Sequence, residues 1–201
     1  MKSLKKFVKS FDPRERREPR DFLLKRLPKH SVGAEIGVFQ GNFSARILQL
    51  VQPKQLHLID PWKHESDERY KKALYGNNVS EGQATMDNRF STVKARFAEE
   101  IGRGQVEVHR AFSSEVVEMF PNDYFDWVYI DGNHLHDFVK KDLELFYVKV
   151  RPGGYLAGDD YSVQGWWNNG VQTAVDEFIA EREIPLQTVG TQFVIRKTSV
   201  P

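Results

Sequence analysis

The stretch Ala34-Glu35-Ile36-Gly37-Val38-Phe39-Gln40-Gly41-Asn42-Phe43-Ser44 decides the fold. Ala34 to Gly37 is a short, mostly apolar run that reads as a strand. Gly41 makes the turn, and Asn42 or Ser44 offers a helix cap. Phe43, Ile47, Leu48 and Val51 then share one helical face, and Pro53 stops the pattern. Gln55 to Ile59 is a second apolar run, closed by Asp60-Pro61-Trp62. Strand, helix and strand within about 30 residues form a βαβ unit, whose right-handed crossover makes the strands parallel.

The same grammar continues toward the C-terminus. Residues 63–104 exceed a simple crossover, with a helical stripe at Met86, Phe90, Val93 and Phe97 preceded by a charged, aromatic segment broken at Gly76-Asn77-Asn78. An insertion of that length beside a crevice reads either as a lid or as a packed helical pair. Gln105 to His109 is a strand and Ser113 to Phe120 a short helix. Asp126-Trp127-Val128-Tyr129-Ile130 runs as a buried strand into the polar cluster Asp131-Gly132-Asn133-His134. Leu135 to Val150 carries a strong helical period, ended by Arg151-Pro152-Gly153-Gly154. Tyr155 to Gly158 is the fifth strand, followed by Asp159-Asp160-Tyr161 and a loop holding Trp166 and Trp167. A last helix spans Val171 to Ile179, and two short strands around Gly190-Thr191 close as an antiparallel hairpin. The expected architecture is one doubly wound α/β sheet of about seven strands, covered on both faces.

Composition bounds the chain without naming its work. It has 201 residues, 40% apolar and 28% charged, which suits a single globular core. A formal charge of +1 gives no reason to expect a polyanionic substrate. The absence of cysteine excludes disulfides, thiolate metal sites and cysteine nucleophiles. No apolar run approaches a membrane span, and no signal-peptide core follows the basic start, so a cytoplasmic location is expected. Residues 1–30 hold eleven Lys or Arg against four acids. They read as a basic helical extension ahead of a domain over residues 31–201. Leu23, Leu24 and Leu27 suggest a helix ended by Pro28, serving either as an arm for an anionic partner or as a solvated helix lying on the domain. Such a helix also offers a way to pair chains into a homo-oligomer.

Two features point to an adenosine-type ligand. The turn Glu35 to Gly41 has a strand before it and a helix after it, yet it is E-x-G-x-x-x-G rather than G-x-G-x-x-G. The glycine that brings a backbone close to a pyrophosphate is absent, and an acid stands where a phosphate would be repelled. A cationic or amine-bearing adenosine compound fits better than a dinucleotide. Asp60 follows Gly37 by 23 residues at the end of the second strand, the place of the acid that takes ribose hydroxyls. Ligands in such sheets lie at the strands' carboxyl ends, so Asp131 to His134 and Asp159-Asp160 stand at the lip of that crevice.

These residues together resemble the class I S-adenosylmethionine-dependent methyltransferases, over roughly residues 32 to 180. The nearer similarity is to the bacterial macrolide and aminocoumarin sugar O-methyltransferases, on Ile130-Asp131-Gly132-Asn133-His134, Asp142-Leu143, Pro152-Gly153-Gly154 and Gly158-Asp159-Asp160-Tyr161. The resemblance implies the strand order 3-2-1-4-5-7-6 with the seventh strand antiparallel. It puts Glu35, Gly37, Gly41 and Asp131 around the methionine end of the cofactor, Asp60 on the ribose, and the Ala111-Phe112-Ser113 turn near the adenine. It implies methyl transfer to a hydroxyl of a small acceptor. It also implies a divalent cation, Mg²⁺ first, held by Asp131, Asp159 and Asp160. Three converging carboxylates do repel one another unless a cation or protons offset them, and all-oxygen donors select a hard ion. Some relatives carry a second acid two residues after the strand-four acid; Asn133 stands there here, which turns attention to His134, and after it His136, as the base. The rival readings are a dinucleotide-binding oxidoreductase, a hydroxylase-like relative, and a nucleic-acid methyltransferase. The last usually carries an Asn/Asp-Pro-Pro-Tyr/Phe motif where Asp-Gly-Asn-His stands, so a nucleic-acid partner is not expected.

Overall fold

The computed structural model describes residues 19–70, 72–73 and 82–198. The basic residues 1–18 and the Gly76-Asn77-Asn78 break lie outside the described residues. The sheet has seven strands: β1 (Val32–Ile36), β2 (Gln55–Ile59), β3 (Val106–His109), β4 (Phe125–Ile130), β5 (Val150–Gly158), β6 (Leu186–Val189) and β7 (Gln192–Arg196). Their order is β3-β2-β1-β4-β5-β7-β6. All pairs from β3 to β5 are parallel, and β7 runs antiparallel to both β5 and β6. The expected order and the reversed last strand are both present.

The strand sequences explain this arrangement. In β4, Phe125, Trp127, Val128, Tyr129 and Ile130 are all buried, so this central strand is apolar on both faces and needs helices on both. The helices are α1 (Pro19–Leu24), α2 (Asn42–Leu50), α3 (Gln83–Arg96), α4 (Ala98–Gly102), α5 (Ser113–Val116), α6 (His136–Tyr147) and α7 (Gly170–Arg182). One apolar layer joins Val128, Ile130, Leu143, Phe146, Val175 and Phe178 across β4, α6 and α7. The other joins Leu23, Leu24, Ile47, Trp62, Val93, Trp127 and Tyr129 on the opposite face.

Three boundaries differ from the sequence reading. α6 ends at Tyr147, and Val150 opens β5 instead of closing the helix. The pairing of β5 with β4 is irregular between Phe125 and Trp127, where Pro152-Gly153-Gly154 form a bulge, a place that tolerates a proline without an amide hydrogen. The helix expected over Ser113 to Phe120 is one α-turn followed by a 3₁₀ turn at Val117–Met119. α1 stops at Leu24 rather than at Pro28, because the amides of Arg26 and Leu27 donate to the carbonyls of Leu23 and Leu24 and tighten the turn.

α1 is no loosely solvated rod. Phe22, Leu23, Leu24 and Leu27 are all buried, each worth roughly 1.5–3 kcal/mol of transfer free energy. They fix α1 against α2 and the β6–β7 hairpin. The first described residues therefore sit at the carboxyl ends of the sheet, beside the crevice.

Candidate active site

The ends of β1, β2 and β4 are sewn together by backbone. The Gly37 amide donates to the Ile59 carbonyl at 2.9 Å, and the Asp131 amide donates to the Ile36 carbonyl at 2.8 Å. Gly37 has φ 91°, and a Cβ there would lie 2.1 Å from the Asp131 carbonyl oxygen. Only glycine fits both the left-handed backbone and that approach. Gly41 caps α2 in the left-handed conformation, while Ser44 serves a different purpose: its hydroxyl donates to Glu35 Oε2 at 2.5 Å. Glu35 is 1% exposed, and burial pushes its carboxyl well above the usual range.

Asp60 stands at the end of β2 as expected, but its oxygens already have backbone work. Oδ2 accepts from the Val38 and Phe39 amides, both at 2.9 Å, and Oδ1 accepts from the Trp62 amide at 2.8 Å. The Trp62 indole donates to the Phe39 carbonyl at 2.9 Å. Asp60 thus locks two turns into one wall of the crevice. Beyond that wall, Pro61, Trp62, Lys63, Ala111 and Phe112 line a cleft of about 240 Å³. That is slightly below the roughly 300 Å³ at which small-molecule pockets begin, the size for one end of a cofactor. Lys63 lies 5.2 Å over the Phe112 ring. Ser113, expected beside the same ligand end, instead donates to Asp142 of α6 at 2.5 Å. Burial raises the Asp142 pKa to about 6 even with that bond.

The acid corner lies at the ends of β4 and β5. His134 does not join α6; its Nε2 sits 3.6 Å from Asp131 Oδ1 and 3.3 Å from Asp160 Oδ2. Burial alone would lower the imidazole pKa, but Asp131, Asp160 and Asp159 together raise it. Asp160 adopts φ 60°, and burial raises its pKa. His136 is turned away, placed between Asp137 and Glu177 on the surface. The Trp167 ring packs edge-on to His134 at 4.6 Å, and Trp166 meets both Trp167 and Tyr70. Tyr161 faces the other way, donating to Asp176 at 2.7 Å.

Asp159 faces a different set of partners from Asp160. Its Oδ1 accepts from the Thr191 hydroxyl at 2.7 Å and from the Gln192 amide, and its Oδ2 accepts from Arg20 Nε at 2.6 Å and again from the far end of that guanidinium. Arg20 also donates to Asp131 Oδ2 at 3.1 Å. Burial opposes the charge on Asp159, but Thr191, Arg20 and the Asp160 amide outweigh it and hold the carboxyl below the usual range. A trio of carboxylates free to hold a hard ion is therefore not what the chain presents. Asp159 has both oxygens committed, and a fixed cation already stands between it and Asp131. The atoms that do converge on one point, within 4.8 Å of one another, belong to Asp131, His134 and Asp160.

Two residues of this corner carried no local signal in the sequence. Arg20 is one of many cations in a basic run, and only the packing of α1 reveals its target. Tyr70 lies in the insertion, and its hydroxyl accepts from the Asn133 side chain at 2.7 Å; Asn133 Oδ1 in turn accepts from the Leu135 amide at 3.0 Å. Asn133 is thus a clasp between the insertion and β4, not a vacant base.

With the sheet order and the strand-end residues in place, comparison with known proteins identifies the family. A profile described as a methyltransferase domain matches residues 34–161. The chain belongs to the methyltransferase-domain family. Its fold is that of the class I S-adenosylmethionine-dependent enzymes. The chain is 28% identical over 148 residues to an uncharacterized protein of Acanthamoeba polyphaga mimivirus, covering 73% of this chain and 58% of that protein. It therefore spans somewhat over half the length of that relative. It superposes on the O-methyltransferase NovP with a TM-score of 0.62 at 20% identity, over 92% of this chain and 78% of that one. The O-methyltransferase TomG from Streptomyces achromogenes, solved with S-adenosylmethionine, gives 0.57 at 18% identity over 96% and 82%. An O-methyltransferase from Bacillus cereus, solved with S-adenosylhomocysteine, gives 0.59 at 14% identity over 94% and 83%. Among the described residues no helix is long and apolar enough to cross a membrane.

Proposed function

We propose that this methyltransferase moves the methyl group of S-adenosylmethionine to a hydroxyl of a small acceptor, with His134 taking the proton. The observation that carries the reading is the imidazole held between Asp131 and Asp160 at the carboxyl ends of β4 and β5. Glu35 supports the cofactor assignment. Burial disfavours the charged form of a carboxyl that is 1% exposed and bonded to one hydroxyl, and the amine of a methionine moiety is a cation that would restore it. The turn Gly37 to Gly41 and Asp131 border the same end, and the cleft at Trp62 and Phe112 takes the adenine. Asp60 holds the wall between them, and the ribose lies against the turn that it shapes.

In the reaction, His134 Nε2 accepts the proton of the acceptor hydroxyl as the oxygen attacks the methyl carbon in line with its bond to sulfur. The carbon–oxygen bond forms, the carbon–sulfur bond breaks, and the electron pair stays on the sulfur of S-adenosylhomocysteine. Asp131 and Asp160 stabilise the imidazolium that results, as acids beside a base do. Positioning supplies most of the rate. Trp166, Trp167 and Tyr70 overhang the corner with aromatic surface, which suits the apolar face of a sugar ring or a planar acceptor. No step is routed through a divalent ion: Arg20, Thr191 and Gln192 occupy both oxygens of Asp159, one of the three acids read as its ligands.

The test is methyl transfer from labelled S-adenosylmethionine to a panel of hydroxylated sugars and phenols, set against amines of matched shape. Label in the hydroxyl series supports the reading. Label in the amines alone, or binding of a nicotinamide dinucleotide in place of S-adenosylhomocysteine, sinks it.

A further inference from the structure

We propose that Arg20 is the resident cation of the acid corner, a guanidinium delivered by the N-terminal segment that takes the place of a divalent ion between Asp131 and Asp159. The contacts themselves carry the argument. Arg20 Nε and its terminal nitrogen both meet Asp159 Oδ2, and the terminal nitrogen also reaches Asp131 Oδ2 at 3.1 Å. Its fork therefore bridges the ends of β4 and β5, the two strands whose acids a metal would have joined. The remaining oxygen of Asp159 accepts from Thr191 and Gln192, and the remaining oxygen of Asp131 faces His134. Both oxygens of Asp159 and one of Asp131 thus have donors in the chain, and the last oxygen lies 3.6 Å from the His134 imidazole.

Arg20 is also held in place, although 42% of its side chain is exposed. Its guanidinium lies 5.1 Å from the Phe43 ring, which supplies an aromatic face to stack on. Two residues further on, Phe22, Leu23 and Leu24 are 3%, 4% and 0% exposed, so the helix that carries the arginine is sunk in the core. Pro19 abuts Gly190 at the tip of the β6–β7 hairpin, close enough that a side chain at 190 would strike it. The segment that brings the cation and the hairpin that brings Thr191 and Gln192 thus close on Asp159 together. A divalent ion entering here meets a fixed positive charge and loses the bidentate ligand geometry that Asp159 would have offered.

The chemistry of the acceptor changes with the cation. A metal holds an acceptor through two neighbouring oxygens, whereas a guanidinium whose Nε and one terminal nitrogen already face two acids offers N–H donors but no such pair of coordination sites. Where the hydroxyl-methylating reading is right, a single hydroxyl placed against His134 suffices, and no vicinal diol is needed. That consequence rests on the proposed function; the cation assignment does not.

Mn²⁺ uptake by the full-length protein, saturated with S-adenosylhomocysteine and read by the paramagnetic signal of the free ion, tests the assignment. The unaltered protein leaves millimolar Mn²⁺ free. Arg20→Ala opens the corner and takes up the ion, and adding Asp159→Asn abolishes that uptake. Arg20→Lys keeps the charge and stays indifferent. Should Arg20→Ala not fold, Arg20→Met keeps the packed stem and gives the same comparison. Uptake by the unaltered protein equal to that of the Arg20 variants overturns the proposal, and so does an Arg20 variant that folds and takes up none. A further check needs no variant: a gain of about tenfold or more in S-adenosylhomocysteine affinity on adding Mg²⁺ also overturns it. Failure to methylate any hydroxyl would leave these readings untouched, so the two claims fail separately.

Discussion

The two ends of the crevice are built by opposite means. At the end formed by β1 and β2, Gly37, Asp60 and Trp62 are fixed by backbone amides and carbonyls, most of them about two dozen residues apart in the chain, with one bond from the Asp60 amide to the His109 carbonyl. At the acid end, Asp131 and Asp159 are fixed by the side chain of Arg20, 111 and 139 residues away. The first end follows from local chain geometry, and substitutions there act on shape. The second is a balance of charges drawn from the first helix, two central strands and the last hairpin, and substitutions there act on protonation and chemistry.

The largest expected effect separates the two ends most sharply. His134→Gln lowers the rate of methyl transfer by about 10²–10⁴-fold while S-adenosylhomocysteine binding stays within a few-fold. Because the acids raise the His134 pKa, the unaltered enzyme gains activity as pH rises through a value above the ordinary histidine range. The variant loses that limb of the pH–rate profile. The same shift adds stability below the unfolded pKa, and that contribution is lost as pH rises through the folded one. A pH profile unchanged by His134→Gln would move the base elsewhere.

Gly37→Ala comes next and attacks the other end. The new methyl group strikes the Asp131 carbonyl, and the left-handed backbone adds strain, for a loss of about 3 kcal/mol by chemical denaturation and loss of cofactor affinity. Asp60→Asn keeps the size but weakens three amide contacts. It is expected to cost about 1–3 kcal/mol, read jointly as stability and S-adenosylhomocysteine affinity. Full affinity in that variant would show that Asp60 does not shape the ribose wall. The smallest effect belongs to the clasp. Tyr70→Phe removes the acceptor for Asn133 and is expected to cost about 1 kcal/mol, measured as a shift in unfolding midpoint.

The contrast also explains what the sequence revealed. Strand order, the Glu35–Gly41 turn, Asp60 and the polar ends of β4 and β5 were legible because each depends on neighbours in the chain: alternating apolar runs, a glycine at a forced turn, an acid after a strand. Val150 was misplaced because an apolar residue suits a helix face and a strand start equally well, and the bulge at Pro152-Gly153-Gly154 leaves no periodic mark. Asp159 and Asp160 look alike as a pair, yet one turns to Thr191, Gln192 and Arg20 and the other to His134. That division is set by a left-handed residue and by tertiary partners, neither visible in two adjacent letters. Arg20 was hidden for the same reason. Among eleven cations in thirty residues, only the burial of Phe22, Leu23 and Leu24 singles it out.

The most direct measurement is calorimetric titration of S-adenosylhomocysteine into the full-length protein, once in EDTA and once with excess Mg²⁺. A cofactor crevice whose acid corner already holds its own cation predicts saturable binding with the same affinity in both. No binding in either would contradict the cofactor site, and binding only with Mg²⁺ would contradict the role of Arg20.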